Sequence, residues 1–323
     1  MVTVRTAKRS RRSRPAGSPS RTGETLRVNG RSVPVSHLDK IFYPATGFTK
    51  AQVIDYYIRI SPFLLPHLQD RPLTLKRYPD GVAGNYFYEK RCPPYRPDWI
   101  QTAPIRSDRL ASEIHFCLAN DLPSIVWAAN LGNLELHTFL ARAGKVNAPT
   151  MMVFDLDPGS PANVLHCARV ALWLREKLNE WRLESFPKTS GSKGLQVYVP
   201  LNTPVTYDAT KPLARKLAAE LEREHPELVL SKMARNLRGG KVFVDWSQND
   251  RHKTTVCVYS LRAKEMPTVS TPVEWDELAG ALKKKAAARL SFASDAVLRR
   301  VEELGDLFEP VLKLKQKIPP GVL

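Results

Sequence analysis

The chain has 323 residues, 43% of them hydrophobic, and carries 49 Lys and Arg against 32 Asp and Glu, a net charge of +17 with a pI near 9.8. Such an apolar content excludes wholesale disorder and is ample for one large core or two packed subdomains of about 100–200 residues each. No apolar run approaches the roughly 20 residues of a membrane helix, and the charged start excludes a signal peptide, so an intracellular, soluble chain is expected.

Seven of the cations, Arg5, Lys8, Arg9, Arg11, Arg12, Arg14 and Arg21, precede the first acidic residue. Residues 1–24 are expected to be a disordered basic arm, because a segment so poor in apolar side chains cannot offset its ordering entropy. The rest of the chain is still basic. A polyanion is the natural partner, since each Lys or Arg set on a phosphate releases condensed counterions. Cys92, Cys117, Cys167 and Cys257 lie far apart without paired spacing and are read as free thiols, with neither a zinc site nor a disulfide framework indicated.

From Leu26 to Val35 a short alternating stretch predicts a hairpin. A helix is predicted from Thr49, whose capping box closes on Gln52, through Val53, Tyr56, Tyr57 and Ile60, with Pro62 ending it. Residues 71–88 then interleave Lys76 and Arg77 with Tyr78, Tyr86, Phe87 and Tyr88, a mixture that suits either a nucleic-acid surface or a core edge beside exposed cations.

The second half has an α/β rhythm. Met151–Phe154 reads as a strand running into Asp155 and Asp157, with Ser160 as N-cap and Pro161 at the first position of the helix that follows. Leu195–Val199 alternates as a second strand, with Leu195, Val197 and Val199 on one face and Gln196 and Tyr198 on the other. A helix over about 212–223, a basic loop carrying Arg238, a third strand over 241–246 and a last helix over about 295–304 complete the pattern. The division expected is an N-terminal subdomain over about 25–145, a catalytic subdomain over about 146–305 and a tail over about 306–323.

Asp155 and Asp157 are two apart on a strand, so their carboxylates leave one face. Asp245 lies on the third strand, and if the strands are neighbours three carboxylates converge. At about 4 Å such anions repel by roughly 4 kcal/mol per pair at an effective dielectric near 20, a strain that two divalent cations would relieve. Between the strands, Lys188-Thr-Ser-Gly-Ser-Lys-Gly194 supplies glycines, hydroxyls and lysine charge for phosphates. The segment lacks P-loop spacing and enters a strand where a P-loop enters a helix.

Taken in order, Val-Phe-Asp-Leu-Asp-Pro-Gly, Thr-Ser-Gly-Ser-Lys-Gly-Leu and Val-Phe-Val-Asp-Trp-Ser-Gln-Asn resemble the polymerase domain of bacterial ligase D and its stand-alone relatives, in the archaeo-eukaryotic primase superfamily. The likeness runs from Asp-Lys-Ile-Phe-Tyr-Pro near Lys40 to Tyr-Ser-Leu-Arg at Arg262. It implies a primase-polymerase fold of α/β (α+β) class, a mixed and largely antiparallel sheet flanked by helices. It implies metal-dependent nucleotidyl transfer, probing short gaps or broken DNA ends, with ribonucleotides preferred. Asp155, Asp157 and Asp245 would hold two Mn2+ or Mg2+ ions. Ser190, Lys193, Gln196, Arg238, Gln248 and Arg262 would surround the nucleoside triphosphate, with His137 beside its sugar. Lys76, Phe87 and Tyr88 would meet template or nucleotide, and Lys40 and Lys50 would hold the 5′-phosphate of a downstream strand. One departure is Gln196, where the family usually has histidine; an amide donates a hydrogen bond but carries no charge.

The same resemblance implies a monomer in the nucleoid, and, since no Lys-x-Asp-Gly adenylation motif occurs here, Ku and a DNA ligase as separate partner chains. Base-excision gap filling and a non-catalytic DNA-end-binding role remain open as alternatives. An aspartyl phosphatase also starts with Asp-x-Asp after a strand, but Pro158-Gly159 stand where that family needs Thr or Val.

Overall fold

The computed structural model describes residues 23–107 and 111–322; the predicted basic arm, apart from its last two residues, lies outside the described residues. In chain order the elements are β1 (Glu24–Val28), β2 (Arg31–Val35), β3 (Ile41–Tyr43), β4 (Phe48–Thr49), α1 (Lys50–Leu68), β5 (Leu73–Arg77), β6 (Phe87–Glu89), β7 (Thr102–Ser107), β8 (Ser112–Cys117), α2 (Leu122–Asn130) and β9 (Asn133–Thr138). There follow β10 (Met151–Pro158), α3 (Val164–Glu180), β11 (Phe186–Thr189), β12 (Leu195–Pro200), α4 (Tyr207–Glu224), β13 (Val229–Leu230), β14 (Val242–Asp245), β15 (Thr255–Val256), α5 (Trp275–Lys283), α6 (Ser294–Leu304) and α7 (Glu309–Lys313).

Two sheets organise the chain. One has the order β11-β12-β10-β14-β13, antiparallel except for the β13–β14 pair. The other has the order β15-β9-β5-β8-β7, with β6 added against β5. Alternation assigns the faces of the first sheet. Met152, Phe154, Leu156, Leu195, Val197, Val199, Val242 and Val244 pack against α3 and α4 in one apolar cluster. The other face carries Asp155, Gln196 and Tyr198 and turns toward the second sheet.

The second sheet rests on α1 and α2 through Leu73, Leu75, Leu134 and Leu136. Late segments complete this half: β15 joins its edge, and Val297, Val301, Phe308 and Val311 enter its core. The chain is therefore not divided cleanly near residue 145, and the expected tail is partly packed, with Gln316 bonded to Leu201, Pro200 and Glu184.

Three local expectations are corrected. Pro62 does not end α1, which continues through Pro66 to Leu68. The ring of Pro62 offers no N–H to the carbonyl of Ile58, but Ser61 Oγ donates to that oxygen at 2.8 Å, so it is not left unpaired. Ser160 and Pro161 do not open α3, whose N-cap is Asn163 with a reciprocal bond from His166. Gly240 N–H donates to the carbonyls of Gly159 and Ser160, which holds that segment against the basic loop and out of the helix. Finally, Cys92 and Cys117 form a disulfide, while Cys167 and Cys257 are free and buried. Cys92 N–H donates to His115 O at 2.7 Å, so a backbone bond from the loop after β6 to β8 brings together two cysteines that the sequence sets 25 apart. No helix among the described residues is long and apolar enough to cross a membrane.

Candidate nucleotide and metal site

Antiparallel register assembles the site. Lys188 pairs with Gln196, Gln196 with Asp155, and Asp155 with Asp245, so one row of direct cross-strand partners crosses β11, β12, β10 and β14. Residues paired in this way share a sheet face, and Asp157, two residues on from Asp155, shares it too. Asp155 and Asp157 line one cleft of about 320 Å³ together with Gln196, Gln248, Ser190, Lys193, Tyr88, His137 and Arg262, while Asp245, beside Asp155 on the same sheet face, lies buried behind that lining.

Their electrostatics are unrelieved. Burial and the charges of Asp157 and Asp245 push the Asp155 carboxyl up, against a hydrogen bond from Gln196 and the more distant Lys188 charge. Asp157 is raised by burial and by Asp245, with Arg238 and Arg262 pulling it down. An all-oxygen donor set of mutually repelling carboxylates fits a hard divalent cation. It is not a closed cage, and among the described residues no three His, Cys, Asp or Glu side chains are grouped closely enough to hold an ion. Both Asp245 oxygens are already engaged: Oδ1 accepts from Ser247 N–H at 3.0 Å and Ser247 Oγ at 2.6 Å, and Oδ2 from Gln248 Nε2 at 2.8 Å. A carboxylate has about four lone-pair sites, so those bonds leave it ligating capacity.

The loop 190–194 closes one side. A Cβ on Gly194 would lie 2.0 Å from Leu156 O, so only glycine lets the loop press on the strand that carries the aspartates. Ser190 Oγ accepts from the backbone N–H groups of Ser192 and Gly194, and its carbonyl accepts from Arg262 Nη1. Lys193 lines the cleft, whereas Lys188 lies fully buried behind it. Burial pushes the Lys188 ammonium down to about 7, with Asp155 opposing.

The facing wall belongs to the second sheet, where Tyr88, Lys76 and Glu135 form a matching row across β6, β5 and β9. Lys76 Nζ lies over the rings of Tyr78, Tyr86 and Tyr88, the nearest centroid at 4.6 Å. Sequence reasoning missed Glu135. Its buried carboxylate accepts from Ala263 N–H at 3.1 Å and from His137 Nε2 at 2.9 Å, and lies 3.4 Å from both Lys76 Nζ and Arg262 Nε. The available signal was the two-residue spacing of Glu135 and His137, which sets both on one strand face.

Not every expected residue reaches the cleft. Arg238 stacks on Phe243 with its guanidinium 3.9 Å from the ring centroid, and does not line the cleft. Phe87 sits on the opposite face of β6 from Tyr88, with Arg77 5.1 Å over its ring. Lys40 and Lys50 meet in a separate cleft of about 280 Å³, with Arg77 and Asn130. There Lys40 Nζ bonds Asp80 at 2.6 Å and Lys50 Nζ donates to Ser36 O at 2.7 Å.

Glu135 sets a pH-dependent stability. Burial alone would raise its carboxyl, but the His137 hydrogen bond with Arg262, His137 and Lys76 holds it well below the usual value of 4.5. A depressed carboxyl stabilises the fold fully above its unfolded value and loses that contribution as pH falls. Glu135→Gln is therefore expected to lower unfolding stability by about 3 kcal/mol at pH 7. In denaturant melts that deficit should stay level from pH 6 to 8 and shrink on acidification below about 4.5; a deficit that is the same at every pH contradicts the assignment.

Known proteins resemble this chain over most of its length. The family description "LigD, primase-polymerase domain" matches residues 49–308. The multifunctional non-homologous end joining protein LigD of Mycolicibacterium smegmatis is 40% identical over 281 residues, covering 86% of this chain and 36% of that protein. The bifunctional LigD of Bacillus subtilis is 33% identical over 269 residues, covering 83% of this chain and 42% of that protein. The chain thus spans about two-fifths or less of these relatives' length. The solved polymerase domain of Mycobacterium tuberculosis ligase D, in complex with DNA, superposes with a TM-score of 0.81 at 37% identity, over 88% of this chain and 99% of that one. The family match over most of the chain, the sequence identity and the shared fold show that the chain belongs to the LigD primase-polymerase family of nucleotidyltransferases.

Proposed function

We propose that this chain is a DNA-repair polymerase that adds nucleotides, ribonucleotides by preference, to a primer 3′-hydroxyl at short gaps or double-strand-break ends. The observation that carries this reading is the cross-strand row that sets Asp155 and Asp245 side by side, with Asp157 on the same face, opposite a cationic wall. Two divalent cations, magnesium or manganese, held by Asp155, Asp157 and Asp245 would neutralise the triphosphate and activate the primer hydroxyl. Arg262 and Lys193 bind the phosphates by charge, and Gln196 and Gln248 offer amide donors at the same wall. His137 orients the sugar, its imidazole held by Glu135, while burial keeps its pKa low and the ring neutral. Tyr88 presents an exposed ring on which a base stacks. Catalysis is mainly positioning and charge stabilisation.

Lys40 and Lys50 form the site for the 5′-phosphate of a downstream strand, a compact pair of ammonium groups suited to a phosphate dianion. End joining would engage Ku and a ligase. The relatives' names support that setting, and their greater length leaves room for further activities that this chain's residues do not represent.

Primer extension on a gapped duplex with a 5′-phosphate, with manganese or magnesium and ribose or deoxyribose triphosphates, tests the reading. Wild type should extend the primer, and Asp155→Ala should lose roughly 100-fold or more of that rate; a wild type that adds no nucleotide contradicts it. The 5′-phosphate site has its own pH signature. Burial, aided by Lys40, lowers Lys50 from 10.5 to about 8, so its charge is lost as pH rises through that value. Affinity for the 5′-phosphorylated gap over its unphosphorylated counterpart should hold between pH 6.5 and about 7.5 and fall above 8. Lys50→Met should abolish that decline; an advantage that persists undiminished at pH 9 counts against the site.

A further inference from the structure

Gln196 is a side chain whose function depends on which way its amide points, and the structure fixes that direction from behind. Lys188, its direct partner on β11, is fully buried and donates from Nζ to Gln196 Oε1 at 2.5 Å, to Val256 O at 3.1 Å and to Ser270 Oγ at 2.6 Å. Ser270 Oγ itself donates to Thr189 O at 3.0 Å, so toward Lys188 it acts as an acceptor. Three acceptors match the three protons of an ammonium, and none remains for a ligand. Lys188 is thus closed to the cleft, although it belongs to the segment whose lysines read as phosphate binders.

The amide oxygen of Gln196 is boxed by donors. Besides Lys188, the Tyr198 hydroxyl lies 3.5 Å from it, and that hydroxyl also pairs with Thr255 Oγ1 at 2.9 Å. A flipped amide would set its NH2 against the Lys188 ammonium and leave one Lys188 proton without an acceptor, in a place where an unpaired buried polar group costs about 1–3 kcal/mol. The NH2 therefore faces its cross-strand partner Asp155, whose carboxyl it helps to hold down, and the cleft that Gln196 lines.

We propose that Lys188 is a positioning residue that locks the Gln196 carboxamide with its nitrogen toward the cleft, making Gln196 a dedicated hydrogen-bond donor to the nucleotide phosphates. Asp155 uses one of the two N–H groups, and the other is the phosphate donor. Gln196 offers no oxygen to the cleft and takes no part in holding cations. The inference rests on the nucleotide-site reading above and assigns within it a residue that touches neither nucleotide nor metal.

A double-mutant cycle tests it, read out as the dissociation constant for ATP by calorimetry and as KM and kcat in primer extension. Lys188→Met and Gln196→Ala should each weaken ATP binding about tenfold, with KM rising more than kcat falls, and the double variant should be no weaker than Gln196→Ala alone. Additive losses, near 100-fold in the double variant, overturn the proposal, because a merely structural lysine would act independently of residue 196. Gln196→Met decides the matter if Lys188→Met does not fold. It keeps the side-chain length and adds no charge beside Asp155 but removes the donor, so KM for ATP should rise about tenfold with a smaller change in kcat; an unchanged KM overturns the assignment. If wild type binds ATP and extends primers yet the cycle is additive, only the role of Lys188 falls. If wild type binds no ATP, the nucleotide-site reading falls with it.

Discussion

The register between four neighbouring strands is the constraint on which the site depends. Asp155 meets Asp245 on one side and Gln196 on the other because β10 pairs antiparallel with both β14 and β12 in a fixed alignment. A slip of one residue would turn every carboxylate toward the helices and every core side chain toward the cleft. The alignment is held by what lies on the opposite face. Phe154, Leu156, Val197 and Val244 are fully buried against α3 and α4, and their burial selects the one register that hides them all. Past the end of β14, Asn249 extends the pairing, with its amide bonded to both the N–H and the C=O of Val153. Hydrophobic burial thereby holds like charges together that would otherwise move apart.

The second sheet answers that acidic floor with a cationic wall. Lys76 and Arg262 would themselves repel, and Glu135 is the buried anion that lets them sit close together, with the neutral His137 ring bonded to it. The two sheets differ in charge: one gathers carboxylates on a shared face, and the other sets cationic side chains around a buried carboxylate. Arg262 links them, since its guanidinium contacts Glu135 on one sheet and the carbonyl of Ser190 beside the other. Preorganised charge of this kind costs no reorganisation when a triphosphate arrives, which is why such sites work by positioning.

Much of this was legible in the amino-acid order. Period-two alternation in β10, β12 and β14 located the strands and their faces, and the Asp-x-Asp spacing put two carboxylates on one of them. The Thr49 capping box set the start of α1 correctly. The errors arise where a partner outside the local rule decides the outcome, the adjacent residue for Pro62 and partners distant in sequence for the other two. Ser61 supplies a donor in place of the one Pro62 lacks, Gly240 pulls Ser160 and Pro161 away from α3, and a backbone bond to His115 brings Cys92 to Cys117. Glu135 escaped notice as a charge without a motif, and Lys188, read as a phosphate charge, lies buried behind the cleft; each owes its place to the side chains that the two sheets bring to it.

The central claim is that Asp155, Asp157 and Asp245 form one strained electrostatic unit that divalent cations relieve. Thermal unfolding with and without manganese measures that strain directly, at roughly 2–4 °C per kcal/mol for a chain of this size. Wild type should melt a few degrees higher as Mn2+ is added. Asp155→Asn, which removes one charge and keeps the shape, should melt above wild type without metal and gain nothing from Mn2+. A wild type indifferent to Mn2+, or an Asp155→Asn variant less stable than wild type in its absence, would contradict the account.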